Sequence, residues 1–87
     1  MKRRLLIASE VVEFLEQLSQ RERTEIWNRL QEIARSPGRF EEYRERDAAG
    51  RELSGHVFRK VAILYWDDFA DRHVKVMSIA PADEAER

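Results

Sequence analysis

Cysteine is absent from the 87-residue sequence, and glycine and proline are scarce, with three and two residues. The lack of cysteine excludes disulfide bonds, zinc ribbons and cysteine nucleophiles. No apolar run approaches the roughly 18 residues that a membrane-spanning helix needs. The apolar run behind the basic N-terminus ends at Ala8 after four residues, too short for a signal peptide. We therefore expect a cytoplasmic protein that does not associate with membranes.

An excess of charge of one sign is also missing, because 16 basic residues face 17 acidic ones and the net charge is −1. This balance excludes a uniformly basic coat, so any contact with nucleic acid should use a local patch. Thirteen of the 16 basic residues are arginine, which binds phosphate and carboxylate in a planar, bidentate manner. The length predicts a single domain over residues 1–87 with one small core.

The first half of the chain has the pattern of a helical hairpin behind a short strand at Leu5–Ile7. Ser19 and Glu22 form a capping-box sequence that predicts the start of the second helix. Pro37 is expected to end that helix, because proline disfavours the α conformation at the residue before it. The apolar residues recur at helical spacing and are predicted to face the core: Val11, Phe14, Leu15 and Leu18 in the first helix, and Ile26, Trp27, Leu30, Ile33 and Ala34 in the second.

The second half reads as strands joined by short turns. Asp47–Gly50 and Arg59–Lys60 are predicted turns, and Gly55 is expected to mark a bulge or bend in the strand between them. The unbroken apolar run Val61–Trp66 predicts a central, buried strand, and His73–Ile79 predicts the last one.

Residues 39–47 fit either a helical turn or an extra edge strand. With the helical hairpin, these strands predict an α+β fold, a two-layer sandwich of order β-α-α-β-β-β in which the hairpin packs on an antiparallel meander.

The order and spacing of these elements resemble those of the RelE/ParE superfamily of type II toxins over nearly the whole chain. The segments that carry the resemblance are Val12–Leu18, the Glu25–Ala34 helix, Gly50–Leu53, Ala62–Trp66 and Val74–Ile79. The resemblance implies growth inhibition by one of two activities. RelE-like members cleave messenger RNA on the ribosome, whereas ParE-like members bind DNA gyrase without cleaving anything. It also implies a cognate antitoxin as partner.

The sequence departs from the nuclease pattern of this family. The nucleases carry an arginine before the apolar-apolar-tyrosine of the central strand, where this chain has Ala62. After the last strand they carry a second arginine, where this chain has Ala80-Pro81-Ala82, and then a catalytic tyrosine or histidine that the acidic tail before Arg87 lacks. A guanidinium at these places would stabilise charge on the scissile phosphate.

The candidate site residues are therefore other basic side chains of the strand region. His56 and His73 are the candidate catalytic residues, since a histidine could deprotonate the 2′-hydroxyl or protonate the leaving oxygen. The candidate RNA-binding residues are Arg51, Arg59, Lys60 and Lys75. Of Tyr65 and Trp66, one should be core and the other could stack on a base.

The alternative for these residues is a solvated surface, because a chain that is 38% charged must expose cations somewhere. Neither a metal site nor a cofactor is expected, since the aspartates at Asp67, Asp68 and Asp71 fit a turn. Three functions remain open: an endoribonuclease toxin that acts on mRNA at the ribosome, a non-catalytic toxin that binds a protein such as gyrase, and a degenerate toxin without nuclease activity.

Overall fold

The computed structural model describes residues 3–85 and has the predicted two-layer α+β architecture. A five-stranded sheet carries α1 and α2 on one face. Within residues 3–85, no helix is long and apolar enough to cross a membrane. The elements in chain order are β1 (Arg4–Ile7), α1 (Ser9–Glu16), α2 (Gln20–Arg35), α3 (Pro37–Phe40), β2 (Tyr43–Arg46), β3 (Glu52–Phe58), β4 (Val61–Asp68), β5 (His73–Pro81) and α4 (Ala82–Ala85).

The strands lie in the order β1-β5-β4-β3-β2, so the apolar run predicted as the central strand, β4, is the middle one. Strands β2 to β5 form the expected antiparallel meander, and β1 adds to its edge parallel to β5. The ambiguous stretch 39–47 contains both predicted alternatives, because α3 ends in it and β2 follows.

Local signals fix the ends of α2 as predicted. The Ser19 hydroxyl accepts a hydrogen bond from the Glu22 amide at 3.2 Å, and the Glu22 carboxylate accepts one from the Ser19 amide at 3.3 Å. This capping box satisfies two amides that a helix start otherwise leaves without partners. The helix ends at Arg35, two residues before Pro37, which begins the short helix α3.

The core lies between the helices and the sheet, but Trp27 is not in it. Ile26, Leu30 and Ile33 are 5%, 0% and 0% exposed, whereas Trp27 is 42% exposed. The prediction that Trp27 is a core residue is therefore wrong. One helical residue beyond Ile26 turns the side chain about 100° away from the sheet, toward the gap between α1 and α2.

The strand has no bulge at Gly55, so that part of the prediction is wrong. Gly55 pairs regularly with Leu64, and the irregularity of the ladder lies between Leu64 and Tyr65. The reason for a glycine is the ring of Tyr43, its partner on β2, because a Cβ at position 55 would lie 2.2 Å from the Tyr43 Cζ. Gly55 is thus a point of close approach.

The strand alternation gives the sheet two chemically different faces. Tyr65 is fully buried on the helix-covered face, where its hydroxyl donates a hydrogen bond to the Pro37 carbonyl. Trp66 points the opposite way, to the face that α1 and α2 leave uncovered, called the open face below. Ladder partners share a face, so Lys75, opposite Trp66, and His73, opposite Asp68, lie there too.

Candidate nucleic-acid interface

Trp66 is the centre of a basic cluster on the open face. The Arg51 guanidinium lies over the indole, with its Cζ 4.8 Å from the ring centroid. The His73 ring meets Trp66 edge-on, with the centroids 6.2 Å apart. Lys75 is the direct ladder partner of Trp66 on β5. The structure thus brings together three of the six predicted site residues, around the aromatic residue that could stack on a base.

Arg51 is held in this position by the turn before β3. Its Nε lies 3.1 Å from Asp47 Oδ2, while Asp47 Oδ1 accepts hydrogen bonds at 2.9 Å from the amides of Ala49 and Arg51. The hydrogen bond from the Arg51 amide, helped by the guanidinium, lowers the pKa of Asp47 below its ordinary value. Asp47 therefore stays ionised at neutral pH and continues to orient the arginine.

His73 forms a pair with an acidic residue on the neighbouring strand. Its Nε2 lies 3.4 Å from Asp68 Oδ2, and both side chains are largely buried, with exposures of 18% and 11%. A carboxylate beside an imidazole fixes the orientation of the ring. This arrangement is chemically suited to moving a proton next to Trp66.

Asp68, Asp71 and His73 are also the described residues that could hold a metal ion, since their ligand atoms lie within 4.8 Å of one another. Both Asp68 oxygens already have partners, because Oδ1 accepts a hydrogen bond from the Asp71 amide at 3.2 Å and Oδ2 faces His73. This is the hydrogen bonding of an aspartate turn. The absence of a metal site stays a prediction.

Arg59 and Lys60 lie away from this cluster, in the predicted turn between β3 and β4. Arg59 has a φ of 57° there, and its guanidinium pairs with Glu25 of α2 at 3.2 Å. Both cations line a cavity of about 600 Å³ between this turn and the start of α2. They are therefore on the helix side of the molecule.

His56 is also on the helix-covered face and is 7% exposed. Its Nε2 lies 2.8 Å from the Arg29 guanidinium, and its Nδ1 lies 2.7 Å from a Glu42 oxygen. Because a guanidinium can only donate, Nε2 must carry the lone pair and Nδ1 the proton. The Nε2 atom is thus hydrogen-bonded to Arg29, whereas the buried Nδ1 contacts Glu42 without a well-aligned hydrogen bond.

The two histidines lie far apart on the sheet. His56 pairs with Ile63 and His73 with Asp68, five residues apart on β4, which corresponds to about 17 Å. The partners of His56, Arg29 and Glu42, were missed by sequence analysis because nothing in the local pattern connects them. Trp66 could have been identified as the centre of the site from the strand alternation, once Tyr65 was assigned to the core.

Ala62 lies on the open face at the other end of β4. It is 4% exposed, and its ladder partners are Val57 and Ala80. The open face is therefore apolar at the position where the family's nucleases carry an arginine. Trp66 lies four residues further along the strand, about 13 Å away.

No protein-family profile and no curated protein sequence matches the chain. Several solved structures, however, match the chain. The archaeal RelE–RelB complex from Pyrococcus horikoshii OT3 matches with 16% identity and a TM-score of 0.76, over 94% of this chain and 97% of that one. The toxin–antitoxin complex RelBE2 from Mycobacterium tuberculosis matches with 13% identity and a TM-score of 0.79, over 93% and 99%.

A mutant of the E. coli toxin RelE in the free state matches with 17% identity and a TM-score of 0.73, over 99% of this chain and 90% of that one. These likenesses, each spanning nearly the whole of both chains, show that this protein has the fold of the RelE toxins. The predicted RelE/ParE-like fold is confirmed.

Proposed function

We propose that this chain, which has the RelE fold, is a toxin of a type II toxin–antitoxin system and acts in the cytoplasm on messenger RNA at the ribosome. The observation that supports this function best is the cluster of Arg51, His73 and Lys75 around Trp66 on the open face. Aromatic rings and cations in one patch are what proteins use to bind single-stranded RNA.

In the proposed reaction His73 acts as the general base. It takes the proton of a ribose 2′-hydroxyl, whose oxygen attacks the adjacent phosphorus, and the bond from phosphorus to the 5′-oxygen breaks. Asp68, 3.4 Å from His73, stabilises the imidazolium that forms, and Arg51 and Lys75 neutralise the phosphate. The leaving 5′-oxygen takes a proton from water, so the products are a 2′,3′-cyclic phosphate and a 5′-hydroxyl. Roles for His56, Arg59 and Lys60 stay predictions. The contacts of His56 with Glu42 and Arg29, and of Arg59 with Glu25, favour structural roles for these two residues.

The test is cleavage of a message in a cell-free translation reaction, with the RNA ends mapped by primer extension. We expect cleavage by the wild type and a loss of about 10²- to 10⁴-fold in rate for His73→Gln, the usual contribution of a general acid or base. Arg35→Gln, on the exposed end of α2, is the matched control and should cleave normally. Equal rates for His73→Gln and wild type would contradict the assignment of His73.

A second function, a toxin that binds its target without cleaving RNA, is favoured by the apolar patch at Ala62, Val57 and Ala80. Val57 is 41% exposed and is the member of this patch that a protein surface can reach, whereas Ala62 is 4% exposed. The same translation reaction separates the two functions. A wild type that arrests growth when expressed in cells, but leaves the message intact in this reaction, would favour the protein-binding toxin.

The proposed partner is an antitoxin, as in two of the three similar structures, which are toxin–antitoxin complexes. A groove of about 460 Å³ between α1 and α2 has an almost wholly apolar lining that includes Val12, Leu15 and Trp27. Val12 and Trp27 are 43% and 42% exposed. An exposed tryptophan in an apolar groove suits an amphipathic helix of the antitoxin.

A further inference from the structure

Arg51 and Trp66 form one structural unit on the open face. The guanidinium lies over the indole at 4.8 Å, and the Asp47 carboxylate holds its Nε at 3.1 Å. Two contacts, one to the ring and one to the turn, therefore restrain the same planar group. The Arg51 side chain is nevertheless 40% exposed, so a ligand can reach it from solvent.

Lys75 complements this unit from the other neighbouring strand. It stands directly opposite Trp66 in the ladder, at a side-chain separation of about 5 Å. Among residues 3–83, whose side chains the structure describes, no carboxylate forms an ion pair with Lys75. A compact cation that these residues leave unpaired, next to a flat and restrained one, offers two different kinds of contact to a nucleotide.

We propose that Arg51, supported by Trp66, stacks on one unpaired base of single-stranded RNA while Lys75 binds an adjoining phosphate. Arginine planes stack on bases whose faces are free, which in RNA are those of single strands. A point charge such as the lysine ammonium contributes to phosphate binding and not to recognition of the base. The inference rests on the proposed function. It adds the place on the sheet where the RNA binds, which is the Trp66 end of β4, about 13 Å from Ala62.

The two roles can be separated with a pair of ligands. One is a hexamer of adenosine, and the other is an RNA hexamer with the same phosphates but no bases. The dissociation constants of both are measured at several salt concentrations for the wild type, Arg51→Lys and Lys75→Ala. Arg51→Lys keeps the charge and removes the planar group, whereas Lys75→Ala removes a charge and leaves Arg51 and Trp66 unchanged.

We expect the wild type to bind the adenosine hexamer about 5- to 150-fold more tightly than the abasic one, the usual contribution of one stacked base. Arg51→Lys should bring this ratio close to one without changing the salt dependence. Lys75→Ala should keep the ratio and reduce the slope of log K against log salt by about 0.7. Trp66→Leu, which removes the support of the guanidinium, is a second variant that should lower the ratio.

A wild-type ratio near one, or an unchanged ratio in a folded Arg51→Lys protein, would overturn the inference. Unfolding midpoints equal to that of the wild type establish that the variants are folded. Since the binding assay contains no ribosome, antitoxin or cell, it fails independently of the proposed function. If the wild type arrests growth but has a ratio of one, the proposed toxin function is kept and the stacking role of Arg51 is rejected. If the ratio is high but growth is not arrested, the stacking role is kept and the toxin function is rejected.

Discussion

At the scale of single residues, the two histidines illustrate how contacts separate side chains of the same type. His56 is enclosed by Arg29 and Glu42, and its Nε2 is hydrogen-bonded to the Arg29 guanidinium. His73 lies beside Trp66 with one carboxylate partner, Asp68. Because a proton-transfer residue must reach its substrate, His73 is the better candidate of the two.

Tyr65 gives a prediction about pH. Burial raises the pKa of its phenol to about 12, and nearby carboxylates such as Glu41 add to the effect. The pKa of Tyr65 in the folded state is above its unfolded value of about 10. The contribution of the protonated phenol to the stability of the fold is therefore complete below about pH 10, and it is lost as the pH rises through about 12.

Ultraviolet absorbance of tyrosinate during an alkaline titration checks this. We expect a late step, coincident with loss of the folded state, that is absent from Tyr65→Phe. An ionisation of Tyr65 at the pH of a free tyrosine in folded protein would show that the phenol is not buried.

At the scale of elements, the pairing of β2 with β3 depends on Gly55. An alanine there would place its Cβ 2.2 Å from the Tyr43 ring, so the ring or the strand must move. We predict that Gly55→Ala lowers the free energy of unfolding by about 1–3 kcal/mol, the usual cost of overpacking. Urea denaturation measures it.

A double-mutant cycle provides the control for this prediction. In a Tyr43→Ala background the methyl group of Gly55→Ala meets no ring, and its cost should largely disappear. The same cost in both backgrounds would show that the aromatic contact is not the reason for the glycine.

The groove between α1 and α2 gives the prediction for the proposed antitoxin complex. Trp27→Ala should weaken binding of the antitoxin by 2 kcal/mol or more, about 30-fold, as loss of a central interface tryptophan does. Isothermal titration measures the affinity. Val57→Ala, an equally exposed apolar residue on the open face, is the control, and equal affinities of the two variants would argue against this groove.

Elements with local signals could be predicted from the sequence, and those that depend on distant neighbours could not. The capping box at Ser19 and the stop at Pro37 set the bounds of α2, and the apolar run identified β4 as the central strand. The parallel pairing of β1 with β5 has no such signal. The face of Trp27 was misassigned because it depends on where α1 lies.

The candidate site was predictable to the same degree. Arg51, His73 and Lys75 were identified by residue type, and their convergence on Trp66 follows from strand register. The helix-side positions of His56 and Arg59 follow from contacts with α2 residues that lie far away in sequence. A pattern of basic residues along the chain does not contain this information.

At the scale of the whole molecule, the fold separates two surfaces with different chemistry. The net charge of −1 gives no general attraction to RNA. Arg51, His73 and Lys75 are instead grouped around Trp66 on the open face, with Asp47 and Asp68 paired to the first two. The exposed apolar groove lies between the helices that cover the opposite face of the sheet. One face is thus suited to RNA and the other to a protein partner.

Growth after induced expression without an antitoxin tests the assignment of the open face most directly. The wild type is compared with Arg51→Glu/Lys75→Glu on the open face and with Arg21→Glu/Arg35→Glu on α2, which changes the net charge equally. The account predicts arrest by the wild type and by the α2 variant, and normal growth with the open-face variant at equal levels of folded protein. Arrest by the open-face variant as strong as that by the wild type would contradict it.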